Sequence, residues 1–244
     1  MSEIVLRAIG KVRTPFAEKF GIPRQGGLVE EIHATLELDA PYQREEAWRG
    51  IEGFSHLWLL TWFHADKGAE AALTVRPPRL GGNARLGVFA TRAPYRPNPV
   101  GLSLVRLLRV ERLEGEAVRI HVAGADLLDG TPLLDVKPYL PYVEAVAQAS
   151  GGFAGDDSGA SLQVAWTEQA RTACAPWLER HPELCALIEA LLQRDPRPAY
   201  QSDPARSYGM RLFDLDVRFR VEAGVAQVLD VVAAVSQESN QDGS

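Results

Sequence analysis

Cysteine is nearly absent from this 244-residue chain. The two that occur, Cys174 and Cys185, lie eleven residues apart in a stretch that reads as helical. This is not a disulfide framework, and a reducing, cytoplasmic setting is the default. Long apolar runs are missing too. None approaches the roughly 20 residues that span a bilayer, and the opening M-S-E-I-V-L-R lacks the apolar core of a secretory signal. Neither a membrane nor export is expected. No G-x-G-x-x-G follows a strand, so a Rossmann cofactor site is not supported. A P-loop and a G-x-S-x-G nucleophile elbow are also lacking. His181-Pro182-Glu183 has the H-x-E of zinc deaminases without the accompanying P-C-x-x-C, so no metal is expected.

The absence that organises the chain is one of negative charge. From Ala71 to Val110 there is no Asp or Glu, but there are seven arginines: Arg76, Arg79, Arg85, Arg92, Arg96, Arg106 and Arg109. The stretch carries +7 in a chain of formal net charge −6, which leaves −13 for the rest. Solubility does not require such segregation; a binding face for an anion does. Pro77, Pro78, Pro94, Pro97 and Pro99 stiffen the stretch. Rigid loops bearing guanidinium forks suit phosphate or carboxylate. The acidic total argues against a nonspecific nucleic-acid coat but allows a local RNA face.

The hydrophobic fraction, 46%, permits a real core. Ile4 to Thr14 reads as a first strand, with Gly10 at a bulge or close approach. Lys19 to Val29 is a loop with a cation, an amide side chain and the glycine pair Gly26-Gly27, able to wrap a small polar ligand. Ala34, Leu36 and Leu38 alternate with polar residues as in a half-buried strand. A short helix is expected within 42–49. The run 54–64 suits a buried barrel strand, with His64 at its end. Leu102–Glu111 and Val118–Val122 form a hairpin around Glu114-Gly115. Asp129-Gly130-Thr131-Pro132 is a tight turn in which Asp129 is expected to make an Asx turn. Asp126 and Asp135, with Lys137 nearby, are less easily explained as structural.

Short strands and Pro/Gly turns predict a mainly β fold: an N-terminal single-sheet β-barrel with short helices over residues 1–145. Residues 146–161 are small, polar and Gly-rich and read as a linker. A smaller C-terminal α+β domain is expected over 162–236, with its own complete core. Thr167 caps one helix, and Leu184, Leu187, Ile188, Leu191 and Leu192 line the next at helical spacing. Asp195-Pro196 stops that helix, and strands follow from Phe213 and Val225. Residues 237–244 read as a disordered tail.

The segments 23–29, 53–58, 76–82, 87–92, 96–103 and 126–139 together resemble the TsaA-like, or TrmO, family of tRNA methyltransferases. Asp195-Pro196-Arg197-Pro198-Ala199-Tyr200 extends the resemblance to the bacterial long form. The resemblance implies a homodimeric barrel that binds S-adenosylmethionine and methylates N6 of N6-threonylcarbamoyladenosine, the base beside the anticodon (position 37) of certain tRNAs. It places the cofactor against Gly26, Gly27, Leu28, His64, Ala65, Arg92, Leu102, Ala123, Gly124, Ala125 and Asp126. Arg24, Gln25, Arg76, Arg79, Arg96, Lys137, Asp195, Arg197 and Tyr200 are the candidates for contacting tRNA at its anticodon loop. The acceptor nitrogen is urea-like and needs a base or hydrogen-bond acceptor; Asp126 and Asp135 are the candidates. A non-catalytic tRNA-binding module that senses S-adenosylmethionine, or a small-molecule methyltransferase, could use the same pocket.

Overall fold

Period-two alternation folds the first half of the chain into strands. In the computed structural model, which describes residues 4–64, 73–77, 80, 84–155, 161–197 and 203–234, these are β1 (Gly10–Arg13), β2 (His33–Leu38), β3 (His56–Trp62), the two-residue β4 (Thr74–Val75) and β5 (Leu86–Gly87), β6 (Val100–Arg112), β7 (Val118–Ala123) and β8 (Thr131–Pro138). Six of them close a barrel in the order β1-β2-β7-β6-β3-β8, every neighbour antiparallel. Closure leaves the barrel no unpaired edge. β4 and β5 pair with each other as a separate arm within the arginine-rich stretch. A short helix, α1 (Glu45–Trp48), follows β2, and α2 (Pro141–Glu144) follows β8.

Inward positions fill the barrel: Leu36 on β2, Leu57 and Leu59 on β3, Val105 on β6, Ile120 and Val122 on β7, and Leu133 on β8 are all buried. The same rows turn polar at one end. Thr61 continues the row of Leu57 and Leu59, Ser103 that of Val105, and Thr131 that of Leu133; all three are buried. Buried hydroxyls are costly unless bonded. Thr131 Oγ1 donates to Leu128 O at 2.6 Å, and Thr14 Oγ1 at the same end donates to Leu127 O at 2.8 Å. Thr61 Oγ1 has no partner among the described residues. A barrel built only for stability would carry aliphatic side chains there, so this end is marked for function.

Beyond the barrel lie β9 (Gln163–Trp166), α3 (Glu168–Cys174), α4 (Leu184–Gln193), β10 (Ser207–Leu212), β11 (Leu215–Glu222) and β12 (Val225–Ala233). The strands form a sheet in the order β10-β11-β12-β9, with β9 parallel to β12. Thr167 caps α3 by accepting from Ala170 N at 3.1 Å, and the five-residue stripe of α4 is buried against the sheet. The Sγ atoms of Cys174 and Cys185, both free thiols, lie 3.5 Å apart. Burial is the first cause that pushes the Cys174 thiol up to about 12. Among the described residues no helix is long and apolar enough to cross a membrane.

Several expectations need correction. The first strand begins only at Gly10, and Ile4 to Leu6 are exposed; Gly10 is there because a Cβ would run into Glu37 O. Asp129 makes no Asx turn. It accepts from Thr14 N and from Arg13 Nη1, each at 3.0 Å, and so ties the turn to β1. Phe213 is not in a strand but at the β10–β11 turn, in a left-handed conformation (φ 57°). β10 itself was not foreseen. The second domain's core is not its own: Phe16, Val29 and Ile32 from the first domain are buried within it.

Candidate active site

The polar end of the barrel opens into a cavity of about 230 Å³. Three parts of the chain wall it besides the barrel. Lys19 and Ile22 come from the loop before β2, Phe63 and His64 from the exit of β3, and Pro94 and Tyr95 from the arginine-rich stretch. Asp126, Leu127, Leu128 and Thr131 complete the lining. It is an apolar slot into which one carboxyl, one imidazole and one ammonium converge.

Asp126 is held by residues distant in sequence. Ser103 Oγ donates to its Oδ1 at 2.5 Å. The Gly26 backbone also hydrogen-bonds it, and the Arg92 charge acts on it. Burial is the largest influence and raises the carboxyl above its usual range, while the hydrogen bonds and Arg92 oppose the rise. Such a group is a stronger base than a surface aspartate and still has a donor holding its orientation.

Next to it two glycine turns clasp. Gly27 N donates to Gly124 O at 2.8 Å. Gly124 is left-handed (φ 83°), and a Cβ on it would lie 3.1 Å from Gly27 Cα. A Cβ on Gly26 would lie 2.9 Å from Leu104 O and 3.3 Å from Asp126 Oδ1. The backbones therefore approach as only glycine allows. Ala123 and Ala125 are buried on either side of Gly124. Arg92 closes the arrangement, its Nη1 donating to Gln25 Oε1 at 2.5 Å. It reaches this position from a loop after the 3-10 turn Val88–Ala90, not from the end of a strand as its apolar flank suggests.

The structure thus brings Gln25, Gly26, Gly27, His64, Arg92, Gly124, Ala125 and Asp126 to one mouth. The other described candidates do not line the cavity. Asp135 and Lys137 pair with each other at 3.0 Å, both largely exposed, and neither lines the cavity. Leu28 packs its side chain against the second domain's core. Leu102 points outward on β6, half exposed. Arg24 and Arg76 are exposed, and Arg96 is tied to Thr91 O at 3.1 Å. Arg197 is not as exposed as its motif suggests: it forms a fork on Asp195, Nε–Oδ1 2.7 Å and Nη2–Oδ2 2.8 Å, with 15% of its side chain accessible. Asp195 adopts a left-handed conformation (φ 47°) at the end of α4, and the fork secures it there. Ala65, Arg79 and Tyr200 lie outside the described residues. His181 and Glu183, the false deaminase motif, serve packing: the His181 ring stacks on Phe213 at 3.9 Å, and Glu183 pairs with His33 at 2.8 Å. Sequence reasoning missed Ser103 as a site residue. Its signal was a hydroxyl at an inward position of a barrel strand.

A closed antiparallel barrel whose polar mouth joins a glycine clasp to a buried carboxylate defines a small-ligand enzyme without a nucleotide-binding Rossmann sheet. Comparison with known proteins narrows the class. Residues 11–145 match the tRNA-methyltransferase O N-terminal domain and residues 159–234 the TrmO C-terminal domain. The chain is 44% identical over 223 residues to the tRNA (adenine(37)-N6)-methyltransferase of Escherichia coli, covering 91% of this chain and 94% of that one. It is 50% identical to a putative S-adenosylmethionine-dependent methyltransferase of Pseudomonas aeruginosa, covering 91% and 95%. A crystal structure of TrmO from Pseudomonas aeruginosa superposes with a TM-score of 0.80 at 40% identity, covering 95% of this chain and 99% of that one. The chain belongs to the TrmO family of tRNA methyltransferases.

Proposed function

We propose that this chain transfers the methyl group of S-adenosylmethionine to N6 of adenine 37 in tRNA, the reaction named for its Escherichia coli relative. The adenine carries an N6-threonylcarbamoyl group. One observation carries the reading: the glycine clasp, Arg92 and the buried Asp126 meet at one mouth of the barrel. The residues present fit the cofactor. The Gly26-Gly27 and Gly124 backbones form a cradle that a Cβ would fill, Arg92 suits its carboxylate, and the apolar slot suits a flat base.

The cofactor supplies an electrophilic methyl group when bound. The chain supplies everything else. The cradle and the cavity walls fix the relative orientation of donor and acceptor, and alignment alone contributes much of the rate in a displacement of this kind. Asp126, ionised, accepts the proton or hydrogen bond of N6–H and so makes its delocalised lone pair available. Ser103 keeps that carboxylate aimed. Arg24, Arg76 and Arg85, exposed around the mouth and its arm, meet the tRNA phosphates.

The chain acts in the cytoplasm as a homodimer. Support for a second copy comes from two exposed apolar stretches, Ile4–Leu6 and Tyr142–Val146. Sedimentation of the purified chain tests the dimer. Incubation with S-adenosylmethionine and tRNA carrying threonylcarbamoyladenosine, followed by nucleoside mass spectrometry, tests the reaction. A gain of one methyl on that nucleoside is expected. Binding without methyl transfer would leave only a sensing module, and transfer to unmodified adenine would remove the threonylcarbamoyl requirement.

A further inference from the structure

The loop that carries Gly26 and Gly27 is built into the second domain. At its start Phe213 N donates to Pro15 O at 2.6 Å, and the fully buried Phe16 bridges to Leu212. In its middle the Phe20 ring stacks on Tyr208 and on Phe219, each with centroids 6.4 Å apart and planes within 14°. Gly21 is left-handed (φ 94°), and a Cβ there would lie 2.5 Å from Met210 Sδ. At its far end Arg194, just after α4, donates from Nη2 to Leu28 O at 3.1 Å. Val29 and Ile32 are then buried in the same core. Ile22 does double service, packing against that core while lining the cavity.

One face of the loop therefore rests on the second domain and the other forms the cradle. The barrel side holds only the tip of the loop, through Gly27 N to Gly124 O and Arg92 to Gln25, while residues 16–22 pack on the second domain. Three of the residues 21–27 are glycines, and glycine loses more freedom on ordering than any other residue. Without the aromatic stack, the loop would sample many forms, and a ligand would bind only the fraction already in shape.

We infer that the second domain is part of the cofactor site, with Phe20 and Arg194 as positioning residues that pre-shape the Gly26-Gly27 loop. This rests on the reading that the glycine clasp holds S-adenosylmethionine. Linkage adds a consequence: whatever orders the second domain, tRNA included, raises cofactor affinity, and the cofactor raises tRNA affinity by the same factor.

The test is calorimetric titration of S-adenosylmethionine into the full chain, with amide exchange followed over residues 19–28. Phe20→Leu keeps an apolar side chain but loses the stack, and Phe20→Tyr keeps the ring. Arg194→Ala alters an exposed side chain and leaves the core intact. Phe20→Leu and Arg194→Ala should each weaken binding by roughly 5- to 30-fold and speed exchange over 19–28. Phe20→Tyr should stay within about 3-fold of wild type. Arg92→Ala runs in parallel as a direct contact. Weakening by Arg92→Ala with wild-type affinity in Phe20→Leu and Arg194→Ala overturns the inference and leaves the site standing. Wild-type affinity in all three overturns the site and the inference together.

Discussion

Asp126 concentrates the chemistry of the site in one buried carboxyl. Its raised pKa has two consequences with opposite merits. In the proposed reaction the carboxylate must be ionised to accept from N6–H, so activity should fall as pH drops through that raised value. Ser103 and Arg92 hold the value down, so Ser103→Ala should move the acid limb of the kcat/KM profile to higher pH. An unmoved limb in single-turnover measurements would separate Ser103 from the proton chemistry. In folding the sign reverses. A carboxyl with a raised folded pKa contributes stability below its unfolded pKa and loses it as pH rises through the folded value. Above that folded value ionised Asp126 therefore works against the fold. Asp126→Asn should abolish methyl transfer yet raise stability by about 1 kcal/mol, or ~2–4 °C in Tm. The gain should shrink on acidification, which thermal melts at several pH values would reveal. Arg92→Ala removes a charged contact at an exposed position and leaves the core alone. It should weaken cofactor binding by roughly ten- to a hundredfold, about 1.5–3 kcal/mol, with an unchanged Tm.

Elements set how these residues meet, and their legibility in sequence depended on what held each one. Where one face is buried and the other wet, the pattern was plain. Ala34, Leu36 and Leu38 alternate into the barrel, and the α4 stripe of five aliphatics lies on one face. β10 carries the same signal in Tyr208, Met210 and Leu212, but a glycine within it and a Pro-containing approach obscured it. Phe213 is in phase with the alternation of β11, yet it turns left-handed because the hairpin needs a residue there. Arg197 followed a local motif whose outcome was decided by its neighbour Asp195. The glycine clasp is the element-level feature on which the site depends. Gly124→Ala adds a Cβ to a left-handed residue against Gly27. Strain at such a residue costs of order 1–3 kcal/mol. The expected result is that much loss in chemical denaturation together with weakened cofactor binding. Gly130→Ala, also left-handed but with open space around the added carbon, should lose stability without the binding defect.

At the scale of the whole molecule, two facts were out of reach of pattern reading. The first is the shared core around Phe16, Phe20 and Ile32, because periodicity reports which residues are buried but not against what. The second is how far the charge segregation seen along the chain survives in space. The barrel arginines Arg106 and Arg109 are paired with Glu30 and Glu111, and Arg96 is bound to backbone. Arg24, Arg76 and Arg85 remain exposed on loops and on the β4–β5 arm, with no ion-pair partner among the described residues. A polyanion would therefore feel a local positive face on a chain of net charge −6. Its affinity should fall with salt in spite of the overall charge, because counterion release depends on the phosphates contacted and not on the protein's total charge. Each phosphate contact contributes roughly −0.7 to −0.9 to the slope of log K against log salt. The double substitution Arg76→Ala with Arg85→Ala should make the slope for tRNA shallower by about 1.4–1.8. Cofactor affinity should be unchanged, since neither residue lines the cavity. Filter binding of tRNA across a salt series, beside cofactor titration of the same preparation, measures both. An unchanged slope would move the RNA face away from the arginine arm, and the exposed Arg24 beside the cradle would become the next position to substitute.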